Sequence, residues 1–520
     1  MKDEVWINGE RADVSDGTLI AITKQIDDIM KPGSFQSHYT NKFIIPATPH
    51  NNRLLGYSAL FNNDGVMAYS NIDFVIKKDG IELIRNGKAL IDEAGENYKI
   101  SVVSGNADFF EDIKDLKLGD LDLSDYDHDW TRANIVASVG NDYTDGYIWP
   151  VIDWIHTRIW GSTLYGFKWD GGVASWVINC KTMFPAMFVR TLISEIATQA
   201  GWNLTLASVM EADFFSKTMI PFCNKPGTYD DEPVHTATLG WGHEFVMADH
   251  APDITQAEFL KGIANMFGLV FVVDEKTHTL VFYALDEILL NYSNAYDWSD
   301  KIDDTYKPVF KYTLPGLAQT NVVEFIFPDD LLWRDKDDYN MLFTSIHTGM
   351  PDRATMISLP FSMSIQAWDD LAPAPYVPAV PAIYDVINLD TTPTINWGTN
   401  SGPRILELLE SSSVTVRFHE GNLGAAYTDV ASDVPWSYFY NSYYDDLGGT
   451  DMVDNYHKLM TKVLNRPMII TQRFILGYAD IHNFNHMYPV YIKKYAAYFY
   501  VNKIKNYTGR GSTEVELIKI

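Results

Sequence analysis

The chain has 520 residues, 40 Lys plus Arg against 68 Asp plus Glu, a formal net charge of −28 and 46% apolar content. That length suits about three or four domains, and the apolar fraction is normal for folded protein and too high for disorder. The acidity argues against unaided binding to nucleic acid or to a membrane surface, since such affinity comes mainly from Lys and Arg meeting phosphates.

The first 125 residues read mainly as β. Ile20, Ile22 and Lys24 begin an alternating segment, and residues 74–84 read as two short strands around an Asp79-Gly80 turn. Asn86-Gly87 marks a second turn, and Tyr98, Ile100 and Val102 fall on one face of a further strand. Strands this closely spaced predict a small barrel or sandwich. A Leu/Asp-rich stretch, 116–129, then leads into an aromatic one containing Trp130, Tyr147, Trp149, Trp154 and Trp160.

A helix is predicted over 185–200, with Pro185 in its first turn, Phe188, Leu192, Ile193, Ile196 and Ala200 on one face, and Gly201 as its stop. A second helix spans 253–267, capped by Asp253 or Thr255 and striped by Phe259, Leu260, Ile263 and Phe267. Two apolar runs, 269–273 and 279–283, follow it as a hairpin, so 253–283 forms a compact α+β unit. Beyond residue 300 the pattern is β-rich again. It is interrupted by a Pro-rich loop, 371–383, where Pro375, Pro378 and Pro381 recur every third residue as in polyproline II. A Tyr-rich segment, 427–456, contains Tyr427, Trp436, Tyr438, Tyr440, Tyr443, Tyr444 and Tyr456. Residues 451–464 read as one short helix, and strands at 474–476, 490–492, 498–504 and 513–520 close the chain.

The predicted fold class is therefore α+β, β-rich and multidomain: small β-barrel or sandwich domains with an intervening helix-plus-hairpin region. The expected division is an N-terminal β domain over 1–125, an α+β domain over 126–300 and a C-terminal β-rich domain over 301–520. Absence of a 20–50-residue repeat disfavours a solenoid or propeller. Charge is uneven along this plan. Residues 457–520 hold ten Lys/Arg against three Asp/Glu, a net +7, leaving −35 on the rest. An acidic body with a basic terminal module has complementary surfaces that can steer subunits together.

Motifs for chemistry are mostly incomplete. His243-Glu244 opens like a zinc-protease helix, but Met247 stands where the second His is needed, and only His250 could share a helical face with His243. Asp120, Asp122, Asp125, Asp127 and Asp129 bunch like calcium ligands, yet an EF-hand read from Asp125 finds Trp130 and Val136 at its Gly and Glu positions. There is no phosphate-binding glycine loop and no Gly-x-Ser-x-Gly elbow. Cys180 and Cys223, the only thiols, are expected to be reduced and buried, with a single bridge between them left open. No cofactor is called for, no membrane-spanning run occurs, and the first residues show no signal-peptide pattern, so synthesis in a cytoplasm is expected.

Four segments, taken in order, resemble a family of tail proteins of tailed bacteriophages and prophages. They are Asn41-Lys42-Phe43-Ile44-Ile45-Pro46-Ala47-Thr48 leading through 49–55; Phe184-Pro185-Ala186-Met187-Phe188-Val189 through Gln199-Ala200-Gly201-Trp202; the helix and hairpin of 254–283 with Asp297-Trp298-Ser299-Asp300; and Tyr498-Phe499-Tyr500-Val501-Asn502-Lys503-Ile504 with the final 515–520. The chain is similar in layout to the baseplate or tail-tip hub group. That resemblance implies a homotrimeric ring at the distal end of the tail tube, touching tube proteins on one side and spike or other tip proteins on the other. The genome would transit without specific binding, past an acidic lining that repels it. Subunit contacts are then expected at Tyr498, Tyr500, Ile504, Val515, Leu517 and Ile44. Two other functions compete: a carbohydrate- or receptor-binding tail protein using Trp436, Tyr438, Tyr440, Tyr443 and Tyr444 as stacking faces, and a glycan hydrolase whose carboxylate pair is defined only in space.

Overall fold

The computed structural model describes residues 3–25, 38–62, 66–104, 106–152, 167–170, 175–180, 183–223, 242–274, 277–313, 316–327, 336–367, 380–382, 385–386, 395–396, 402–411, 415–420, 428–430, 434–438 and 447–520. The fold is β-rich α+β. Its largest element is a 14-stranded sheet built from β1 (Asp3–Ile7), β2 (Glu10–Arg11), β3 (Ile22–Lys24), β4 (His38–Thr40), β5 (Phe43–Pro46), β6 (Ile72–Lys78), β7 (Ile81–Ala94), β8 (Asn97–Ser104), β9 (Tyr296–Asp297), β10 (Val309–Lys311), β11 (Ile469–Phe474), β12 (Val490–Ile492), β13 (Ala497–Tyr507) and β14 (Thr513–Lys519). The main path runs β2-β1-β6-β7-β8-β4-β3-β13-β14-β11-β10, with β5 on β8 and β12 between β9 and β13. Strands from both ends of the sequence thus share one sheet, joined where Ile22 meets Tyr507 and Lys24 meets Ile504.

The predicted alternation is seen directly: Tyr98, Ile100 and Val102 are all fully buried on one face of β8. The Asp79-Gly80 turn joins β6 to β7. Asn86-Gly87 is not a turn. Both residues lie inside β7, where Gly87 faces Phe74 while Ile84 faces Ile76, a register shift that places a bulge at Arg85 and Asn86. The glycine serves a close approach: a Cβ there would sit 2.4 Å from Val102 Cγ1.

Two apolar cores flank the terminal strands. One gathers Val5, Ile22, Phe74, Ile100 and Trp298 with Phe499, Val501, Val515 and Leu517; the other holds the helices with Tyr500 and Ile518. Because successive residues of β13 and β14 face opposite sides, and both sides are covered, these strands are an internal wall.

In the second core, α2 (Val189–Gln199) begins four residues later than predicted. Residues Ala186–Phe188 pair instead with Thr218–Pro221, Met187 facing Ile220, so Pro185 precedes a strand and Phe188 belongs to it. α3 (Gln256–Met266) is capped by Thr255, whose hydroxyl accepts from the Glu258 N–H while the Glu258 carboxylate accepts from the Thr255 N–H. Its hairpin, Leu269–Asp274 with Thr279–Ala284, packs behind it in full register. The single helix predicted at 451–464 is two, Gly449–Tyr456 and Lys458–Asn465, broken at His457, whose buried ring bonds the Met266 carbonyl at 2.9 Å. Of the Pro-rich loop, residues 371–379 lie outside the described residues; Pro381 sits in a short strand opposite Gln366.

The seam between the chain's two ends carries a histidine pair, His486 buried and His38 half-buried, that sequence pattern did not single out. His486 and His38 stack with centroids 6.4 Å apart. The His486 Nδ1–H donates to the Val501 carbonyl at 3.1 Å and leaves a buried Nε2 with no hydrogen-bond partner, so protonation would create an N–H without an acceptor. Burial lowers both pKa values from 6.5, to about 4 for His486 and, with the Lys24 charge adding to burial, to about 3 for His38. The unfolded chain therefore takes up protons first. Stability is full above pH 6.5 and falls as pH drops toward 4 and then 3, by up to about 1.4 kcal/mol per pH unit for each histidine. Urea titrations across this window should show that loss, and His486→Gln should flatten it.

Candidate assembly surface

The six residues expected to make subunit contacts divide sharply. Tyr500, Ile504, Val515 and Leu517 are buried in the chain's own cores, and Tyr498 is half-buried against Tyr292 and Tyr491. Their apolar surface is consumed within one chain. Ile44 is 52% exposed, and it shares the outward side of the sheet with exposed Leu90 and Val103 on the neighbouring strands. Of the aromatic segment, Trp436 is 1% exposed, packed in a strand, Val434–Tyr438, that pairs with Leu406–Ser411. It offers no stacking face. Tyr438 ends that strand, and Tyr427, Tyr440, Tyr443 and Tyr444 lie outside the described residues.

The sheet's two ends are the surfaces that pattern alone missed. At one end, α1 (Pro49–Leu54) covers the edge of β2. Thr48 caps it by accepting from the Asn51 N–H, buried Asn51 donates to the Asp13 and Pro46 carbonyls, and His50 bonds the Arg11 carbonyl. Gly56 and Tyr57 follow with positive φ, turning the chain sharply outward. The result is an apolar projection: Leu60, Val66 and Tyr69 are exposed and Phe61 is completely so. Asp13 and Asp16 stand exposed at the same end, in no ion pair among the described residues.

At the other end, β10 pairs, among the described residues, only with β11, and all three of its residues are exposed. Tyr306, Val309, Phe310 and Tyr312 form an apolar strip along this edge. Next to it opens a cavity of about 590 Å³ whose wall includes Tyr312, Ile346, Pro467 and Met468. Lys462, Arg466 and Lys519 line its rim, with Lys307 and Lys311 on the adjoining strand segment. Among the described residues none of these five cations forms an ion pair, and all are exposed. An uncovered strand edge with apolar side chains is surface that water disfavours and another chain satisfies.

Groups that suggested chemistry are otherwise engaged. Glu244–Phe245 is a strand and Ala248–His250 a single turn, so His243 and His250 share no helical face; His243 is exposed and His250 buried against Phe245. The carboxylates of Asp120, Asp122 and Asp127 accept the backbone N–H groups of Lys117, Ser124 and Met247. Among the described residues no group of three or more His, Cys, Asp or Glu could hold a metal ion. Neither cysteine is in a disulfide; burial pushes the Cys223 thiol up to about 12 and Cys180 higher still, the reverse of an activated nucleophile. No helix among the described residues is long and apolar enough to cross a membrane.

No family model matches the chain, and no curated protein does. Among solved structures it is similar to the 43 kDa tail protein of prophage MuSo2 from Shewanella oneidensis, at 7% identity and TM-score 0.39 over 100% of this chain and 98% of that one. It is also similar to a tail protein from Neisseria meningitidis, at 11% identity and TM-score 0.34 over 99% of this chain and 95% of that one. A third is prophage tail protein gp18 from Listeria monocytogenes, at 7% identity and TM-score 0.35 over 100% and 94% of the two chains.

Proposed function

We propose that this chain is a structural virion protein of a bacteriophage tail, the hub that forms a ring joining the tail tube to the distal tip and lets DNA pass. The observation that carries the assembly role is the pair of exposed apolar surfaces, the projection around Phe61 and the edge strand β10 with its cavity. The tail assignment rests on the four ordered segments of sequence resemblance. In this role the protein works by binding and sealing, with no reaction centre. Its partners are further copies of itself, a tube protein and a tip or spike protein. The net −28 makes transient contact with DNA repulsive, so a genome passing the ring would not adhere to its wall.

Deleting the gene from its phage tests this role. Lysates should then contain filled heads with absent or unfinished tails. Complete particles that merely fail to adsorb would place the protein among receptor binders instead, and complete particles that adsorb but fail to penetrate would point to a hydrolase.

A further inference from the structure

We propose that these two surfaces are the two halves of one head-to-tail contact: the projection at Leu60 and Phe61 of one copy enters the cavity beside β10 of the next. This deepens the ring reading by naming the surfaces and committing the occupant to a second copy of this chain.

Shape is the first support. One end projects apolar side chains and the other recesses an apolar wall formed by Tyr312, Ile346, Pro467 and Met468. The projection packs beside β7 through contacts of its 3-10 turn Val66–Tyr69, and none of its residues lines the cavity of its own chain.

Charge is the second support. In a protein of net −28, five exposed cations gather at the β10 end with no ion pair among the described residues, while Asp13, which accepts from the Thr48 hydroxyl, and Asp16 stand exposed at the α1 end, likewise in no ion pair among the described residues. Juxtaposing the ends gives both carboxylates a cation, and the Phe61 and Tyr69 rings offer faces to the remaining Lys and Arg side chains. Two identical cationic ends would repel, which disfavours a two-fold contact through this surface. A contact between different surfaces of identical chains propagates, closing as a ring when the rotation allows it.

The test uses the purified full chain. Mass measurement across a concentration series should show oligomers. Phe61→Asp and Ile346→Asp should each raise the dissociation constant at least about tenfold, while Leu116→Asp, at an exposed leucine that lines neither surface, should leave it unchanged. Asp16→Lys and Arg466→Glu should each weaken association and together restore it. Oxidising a Phe61→Cys/Ile346→Cys variant should give a ladder of disulfide-linked oligomers. Monomer at every soluble concentration with no ladder overturns the contact, as do oligomers indifferent to Phe61→Asp. Circular dichroism on each variant separates misfolding from lost contact. Should the gene deletion leave tails unfinished while Phe61→Asp oligomers persist, the contact is wrong and the tail role stands.

Discussion

Asp3→Ala is expected to cost about 3–5 kcal/mol of folding stability, far more than any exposed ion pair. The Lys78 Nζ is fully buried and donates to Asp3 Oδ2 at 2.7 Å; that same oxygen accepts the Ile20 N–H at 3.0 Å, and Nζ also reaches the Thr508 carbonyl at 3.3 Å. Burial lowers the Lys78 pKa, opposed by its bond to Asp3. Removing the carboxylate leaves an ammonium that must either stay charged without its counter-ion or lose its proton inside a core. Breaking the pair also loosens β1 from β6 and from the turn before β14, so the loss reaches both ends of the chain. Urea unfolding measures the difference. The double variant Asp3→Ala/Lys78→Met should recover most of it, because replacing both partners removes the desolvated charge.

Trp436→Ala is expected to destabilise by a similar amount, about 3–5 kcal/mol, and to leave no selective binding defect. The side chain is 1% exposed, facing Leu409 across a strand pair and bridged on its other side to Val151. Truncation opens a cavity that those neighbours cannot refill without shifting two strands. A ligand-stacking tryptophan would behave oppositely, with intact unfolding curves and lost glycan signal. Calorimetry alongside a glycan array on the same variant distinguishes the two outcomes.

Local rules were legible wherever a short window contained all the partners. The Thr255/Glu258 cap, the hairpin after α3 and the buried alternation of Tyr98, Ile100 and Val102 are of this kind. Distant pairing was not. Nothing near Ile22 announces Tyr507 as its neighbour, and nothing near His38 announces His486. The same limit explains the misplaced interface residues: β13 and β14 read as closing strands with apolar side chains, and only the second core on their far side makes Tyr500 and Ile518 internal. Pro185 and Gly87 were read by propensity, then overridden by strand pairing with Thr218–Pro221 and by the approach of β8. The acidic excess was visible from composition, but the grouping of Lys307, Lys311, Lys462, Arg466 and Lys519 at one end was not, since these residues are brought together only when β10 joins the terminal module.

Electron microscopy of phage particles labelled with an antibody to this chain decides where in the tail the protein sits. A hub should give label at the distal end of the tail on every particle, at the junction of tube and tip. Label confined to the fibres, or particles that carry none of this protein, would contradict it.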